Sequence, residues 1–374
     1  MYNRHSMYNT VMNLLQFACY SGQGNIAGIF LENNIISEYD SLDAKGQTPL
    51  HIACRYGNID FVEATIDYVF KKGQIINFDV TDSKLWTPLH DACHIGSSEI
   101  VKLILKLPEE KKRMNVNAKD KLGRTPLHCA SHKGNIEVVE TLLNVPNNII
   151  DLNANDYGRD GSVLNYACLQ GHFNVVQSIL DHAHRANKLI LINEVNVAGE
   201  TLLHTACLYE QLEIVKLIME HPSTKNIVNV NVKDTYEKTP LHYAACNKGN
   251  LSIVKLILNS AQSVNVGISD GNGHTPLHFA VIVGKYDIVE SLLMYQLKTN
   301  TINLNAQDNR GHTILHLASI NNFFHIIRLI LKFGSENDKF FKIDITDSKG
   351  MTPLDYATEN LTEIMQMFSK YHHK

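Results

Sequence analysis

The chain is short of charge. Lys, Arg, Asp and Glu make up 19% of its 374 residues, below the usual quarter, and 34 basic against 38 acidic residues leave a formal net charge of −4. That balance supplies no global pull toward nucleic acid or an anionic membrane surface, so any basic patch must be local. Long apolar runs are missing too. Runs such as Leu189–Ile192 fall far below the ~18 residues of a membrane span. Polar residues also interrupt Val11 to Cys19, where a signal peptide would be continuously apolar. We therefore expect an intracellular protein, cytoplasmic with the nucleus as the other compartment, and no membrane insertion. The sequence also has no CxxC, no GxxxxGK[ST], no GxGxxG after a strand, no GxSxG, no HExxH and no EF-hand loop. The usual footholds of nucleotide, metal and hydrolytic chemistry are thereby removed. What is plentiful is uncharged polarity, with 37 Asn and 19 His.

Self-similarity organises the rest. Thr-Pro-Leu-His-x-Ala starts at Thr48, Thr87, Thr125, Thr239 and Thr275, with altered copies at Asn13, Ser162, Thr201, Thr313 and Thr352. The closing Ala recurs at intervals of 35 to 39 residues from Ala18 to Ala357. Ten copies in phase mean one solenoid of stacked modules. Within a module, Asp43 precedes Gly46 by three, as in a type I turn at a hairpin tip. Thr48 suits a helix N-cap, Pro49 the first helical position, and Gly57 a left-handed stop, which predicts a short first helix. Ile59, Val62, Ile66 and Val69 then keep one apolar face at helical spacing, which predicts a longer second helix. Six of the nine prolines hold the second position of the hexapeptide; Pro108, Pro146 and Pro222 follow second helices.

On these residues, and on Val116-Asn117-Ala118-Lys119-Asp120 before the next turn, the chain resembles the ankyrin-repeat family over essentially its full length. The resemblance implies an all-α ankyrin-repeat solenoid: β-hairpin plus helix-turn-helix units stacked into a curved rod, with hairpin tips and first helices lining a concave groove. Residues 1–374 are expected to be a single array, with an N-terminal capping repeat at 1–42, eight internal repeats at 43–346 and a C-terminal capping repeat at 347–374. The period exceeds the family's usual ~33 residues. The excess, as in Lys72 to Phe78, Glu109 to Asn115, Asn187 to Ile192 and Lys332 to Lys342, is placed on the convex edge.

Repetition argues against a reaction centre. Cys19, Cys54, Cys93, Cys129, Cys168, Cys207 and Cys246 recur once per module, too far apart for disulfides or a tetrahedral metal site. They read as buried reduced thiols of the helix layer. His51, His90, His128, His204, His242, His278 and His316 each follow a Thr by three, but seven copies without a singular third partner are not a catalytic triad. The resemblance implies instead that the imidazoles bond within the hairpin and to the adjoining unit. No catalytic residue, metal or cofactor is expected.

Function in a solenoid lies in positions the pattern leaves free. Those slots hold, as candidate partner-binding residues, Tyr56; Trp86, His94 and Ile95; Arg124 and Lys133; Tyr157, Arg159 and Leu169; Leu208 and Tyr209; Tyr236 and Lys238; and Ile282 and Val283. Ten of the slots are basic (Lys45, Arg55, Lys84, Lys121, Arg124, Lys133, Arg159, Lys238, Arg310, Lys349) and two are acidic (Glu200, Glu359), so the groove is expected to be locally basic. Aromatic and aliphatic anchors are interleaved with the charge. The reading is a monomeric, non-catalytic protein–protein interaction scaffold or adaptor that binds a protein segment, acidic or phosphorylated, with no small-molecule substrate. The alternative is a substrate-recognition subunit of a larger enzyme assembly such as a ubiquitin ligase. Nucleic-acid binding is disfavoured by the net charge. Three irregular modules stand together in mid-chain: an extra residue between Asp156 and Ser162, Glu210 in place of Gly, and a late Gly249. They suggest a binding region, a change of curvature or drift.

Overall fold

The computed structural model describes residues 14–23, 26, 29–31, 33, 39–145, 149–158, 161–246, 250–260, 263–299, 301–337, 341–357 and 361–372. Asn13, Pro146, Arg159, Gly249 and Glu359 lie outside the described residues. Helix accounts for 52% and strand for 2%, so the class is all-α. By its internal contacts the chain divides into two compact units, 1–191 and 192–374.

The first unit contains α1 (Leu14–Tyr20), α2 (Pro49–Tyr56), α3 (Ile59–Lys71), α4 (Pro88–Ile95), α5 (Ser98–Lys106), α6 (Pro126–Lys133), α7 (Ile136–Leu143), α8 (Val163–Leu169) and α9 (Phe173–Arg185). After α1 the pattern is a short first helix followed by a second one, repeated. First helices pack on first helices (α2 on α4, α4 on α6) and second on second (α5 on α7). The second unit continues the alternation with α10 (Leu202–Leu208), α11 (Leu212–Glu220), α12 (Pro240–Ala245), α13 (Leu251–Leu258), α14 (Pro276–Ile282), α15 (Tyr286–Thr299), α16 (Ile314–Ile320), α17 (Phe324–Asn337) and α18 (Leu361–His372). Each second helix buries one stripe: Phe61, Val62, Ile66 and Val69 in α3, Ile253, Val254, Ile257 and Leu258 in α13. Each such side chain contributes about 1.5–3 kcal/mol by leaving water.

The local signals act as read. Thr48 is the N-cap of α2, Pro49 is its first residue, and Gly57 ends it at φ 70°. At Glu210 the expected Gly is absent, yet the backbone keeps the left-handed stop at φ 56°, as Asn322 does at 55°. The irregular module therefore retains its geometry at the cost of backbone strain.

The hairpins are tight turns with almost no strand: Asp43 N–H donates to Gln47 O (3.0 Å), Gly46 N–H to Asp43 O (2.9 Å), and Asp43 Oδ1 accepts from the Lys45 and Gln47 amides (2.8 Å each). The carboxylate closes the turn without a ladder. The residues after the second helices contribute side chains to the core as well as to the surface. Ile76 and Phe78 are fully buried, and Ile76–Asn77 (β1) pairs in parallel with Lys112–Arg113 (β2). Lys332–Asn337 simply prolongs α17. These apolar side chains need cover, which draws the segment against its counterpart in the next module.

Candidate partner-binding face

The hexapeptide histidines are structural, with both ring nitrogens engaged. The Thr48 amide donates to His51 Nδ1 (3.1 Å), and the His51 amide donates to Thr48 Oγ1 (3.3 Å), a reciprocal cap. An accepting Nδ1 leaves the proton on Nε2, which donates to Trp86 O of the next module (3.0 Å). His90 reaches Arg124 O and His128 reaches Gly161 O; in the second unit His204, His242, His278 and His316 reach Lys238, His274, Ala306 and Met351 O. Burial pushes His51, His128, His242 and His278 down to about 4 and lowers His90, His204 and His316. They are neutral struts at neutral pH. In the first module Gln16 takes the bridging part, donating from Nε2 to Gln47 O (2.8 Å). No disulfide joins the cysteines, six of which are buried, and burial pushes Cys19 and Cys129 up to about 12. Cys54, Cys93 and Cys168 are raised as well. A thiol held protonated is a poor nucleophile and a poor metal ligand.

This lattice carries the turns in register. In the first unit the Ser83 amide donates to Lys45 O (2.7 Å), Lys121 to Lys84 O (3.0 Å) and Tyr157 to Leu122 O (2.6 Å). In the second, Thr235 donates to Ala198 O, Gly271 to Tyr236 O, Asn309 to Asn272 O and Ser348 to Arg310 O. Neighbouring tips are thus locked one to the next, and the slots on them form a fixed face on each unit.

A family model for ankyrin repeats matches residues 2–72, 65–156, 147–229, 223–303 and 294–374, which together span nearly all of the sequence. The chain belongs to the ankyrin-repeat family. Ankyrin repeats are generally protein–protein interaction modules, and typically not catalytic. No curated protein matches this sequence. No helix among the described residues is long and apolar enough to cross a membrane.

On the first ankyrin unit, the structure joins three of the expected residues. Trp86 Nε1 donates to Asp120 Oδ2 (2.9 Å), its ring stacks near His90 and meets His94 edge-on at 5.2 Å, and the Arg124 guanidinium lies over it at 5.7 Å. Arg124 pairs with the same Asp120 Oδ2 through two nitrogens, at 2.7 and 2.8 Å. His94 is half-buried, and burial, reinforced by Lys133, His132, Arg124 and Arg55, lowers its pKa. Tyr56 (53% exposed), Ile95 (53%) and Tyr157 (67%) face solvent, Tyr56 against Tyr20 and Tyr157 under Lys119. Lys133 is exposed and Leu169 half-buried. On the second unit Tyr209 and Tyr236 are exposed, while Leu208, Ile282 and Val283 are half-buried. Lys238 is half-buried with its ammonium over the Tyr243 and Phe279 rings.

The expected basic groove is smaller than the count of slots implies. Arg55 binds Asp91 Oδ1 (2.8 Å), and Arg124 is committed to Asp120. Glu200 is buried and holds Asn196. Counting slots missed these carboxylates because they sit beneath the slots, in turns and helices assigned to the framework. Asp91 carried a signal, being the only acid at the fifth hexapeptide position in the complete copies. Burial pushes its carboxyl up to about 7 despite the Arg55 guanidinium beside it.

The Asn ladder was also missed. Asn153 Nδ2 donates to Leu189 O (2.9 Å) and its Oδ1 accepts from the Leu191 amide (3.0 Å); Asn117 does the same with Ile149 and Asp151, and in the second unit Asn193 with Ile227 and Asn229. Each Asn follows a buried Val, Leu or Ile and bridges one module to the next. Its recurrence after an apolar residue, at the repeat period, is the sequence signal that marks it.

Proposed function

We propose that the chain is a non-catalytic interaction scaffold or adaptor that binds an extended segment of a partner protein on the face made by its turn tips and first-helix ends. The observation that carries this is the set of large apolar side chains that each unit holds in solvent on a bonded lattice, Tyr56, Ile95 and Tyr157 on the first and Tyr209 and Tyr236 on the second. A rigid display of Tyr and aliphatic anchors lowers the entropy cost of docking. The reading includes a single array capped at 1–42 and 347–374 and, given seven cysteines in no disulfide, a reducing compartment, the cytoplasm or nucleus.

The test compares partners retained by the wild-type chain with those retained by a Tyr56→Ala, Ile95→Ala, Tyr157→Ala variant. Trp86 and Arg124 are unsuited because both support Asp120 and their loss would also loosen the fold. The variant should keep its helix content and lose its partners; retention of the same partners at unchanged affinity would remove this face from consideration.

A further inference from the structure

The charges on the face of the first unit are sorted by availability. Arg55 and Arg124 are committed to Asp91 and Asp120. Lys45, Lys84, Lys121 and Lys133 are exposed, and no carboxylate of the described residues pairs with them. Three of these lysines stand on consecutive turn tips that are bonded backbone to backbone, Lys45 O to the Ser83 amide and Lys84 O to the Lys121 amide. Lys133 stands at the C-terminal end of α6. The half-buried ring of Trp86 and the exposed side chain of Ile95 complete this surface. The field of Lys133, His132, Arg124 and Arg55 converges on His94, lowering its pKa beyond the effect of burial.

Resting on the reading above, we propose that this face accepts a carboxylate-rich extended segment of a partner protein, with its acids opposite the tip lysines and Lys133 and an apolar side chain against Trp86 and Ile95. Phosphate recognition favours open guanidinium forks, and both forks here are turned to aspartates. What remains is a set of separate ammonium point charges, which suit anionic groups spread along a chain. Stacked modules repeat about every 10 Å. An extended polyproline II chain advances about 3.1 Å per residue with three residues per turn, so acids at every third residue lie on one side of the chain at about the module spacing.

The sole tryptophan of the chain, Trp86, reports from within this surface. Its emission is titrated with a synthetic peptide carrying glutamate at every third position and leucine between, with an isomer whose glutamates are clustered, with a version bearing phosphoserine for glutamate, and with a single-stranded oligonucleotide. The spaced-glutamate peptide should bind tightest, and Lys84→Glu with Lys133→Glu should weaken it about tenfold or more while leaving the helical spectrum unchanged. Absence of a Trp86 response to that peptide, equal affinity in the charge-reversed variant, or tighter binding of the clustered, phosphorylated or nucleic-acid probe would each overturn the proposal. A cellular partner that depends on Tyr56 and Ile95 but is indifferent to the two lysine reversals would leave the general reading standing and sink this one.

Discussion

Asp270 is the one turn carboxylate whose outer oxygen is both buried and without a partner among the described residues. In three other modules a tyrosine at the fifth hexapeptide position donates to that oxygen of its own turn: Tyr166 to Asp156 Oδ2 (2.8 Å), Tyr243 to Asp234 Oδ2 (2.5 Å) and Tyr356 to Asp347 Oδ2 (2.6 Å). Position 279 is a phenylalanine. Its ring meets His242 of the preceding module edge-on at 5.9 Å, as Tyr243 meets His204 at 6.1 Å, so the two rings occupy equivalent places. Phe279→Tyr should therefore deliver a hydroxyl to Asp270 Oδ2. A hydrogen bond to a charged acceptor is worth about 1.5–3 kcal/mol. Burying and ordering the new hydroxyl offsets part of that gain. The net gain is then about 1–2 kcal/mol, or roughly 2–6 °C in the melting of a unit of this size. Urea melts followed by circular dichroism, at constant m, measure it; Tyr243→Phe should lose a similar amount, and the gain should shrink in an Asp270→Asn background. A neutral or destabilising Phe279→Tyr with m unchanged would refute the assignment of the orphaned oxygen.

Stability should fall as the solution is acidified from about pH 6.5 to 4. The hexapeptide histidines are lowered in the folded state, so the unfolded chain binds more protons in that window; their contribution is complete above the unfolded pKa and lost on the way down to about 4. By pH 5 each of those four imidazoles forfeits about 2 kcal/mol. Urea midpoints across this range check it, and a flat profile above pH 5 would contradict it. Glu210→Gly should stabilise by about 0.5–1 kcal/mol, because Glu210 sits at φ 56° where an L side chain is strained; a loss in thermal melts would show that the side chain matters. Asn153→Ala should cost about 1 kcal/mol through its two lost inter-module bonds, read as faster amide exchange at Leu191.

Much of the fold was legible because its signals are local. Thr48, Pro49, His51 and Gly57 act within one helical turn of their own backbone, and a ten-fold repeat averages away accidents. The face was legible in outline: Tyr56, Ile95, Tyr157, Tyr209 and Tyr236 are exposed where the repeat pattern placed them. Its electrostatics were not. Arg55 meets Asp91 across 36 positions and Trp86 meets Asp120 across 34. Both pairings run between modules, so they depend on how one repeat lies on the next.

The sequence by itself determined the module, its ten-fold repetition and the two-helix form of each unit, because caps, prolines and apolar spacing act over a few residues. Only the tertiary structure decided which charges are spent and which remain, that Asn117, Asn153 and Asn193 are bridges, and that Asp270 Oδ2 has no donor among the described residues. Those outcomes turn on separations of 3 to 6 Å between groups tens of residues apart, and Coulomb and hydrogen-bond energies follow distance in space, which a linear count does not record.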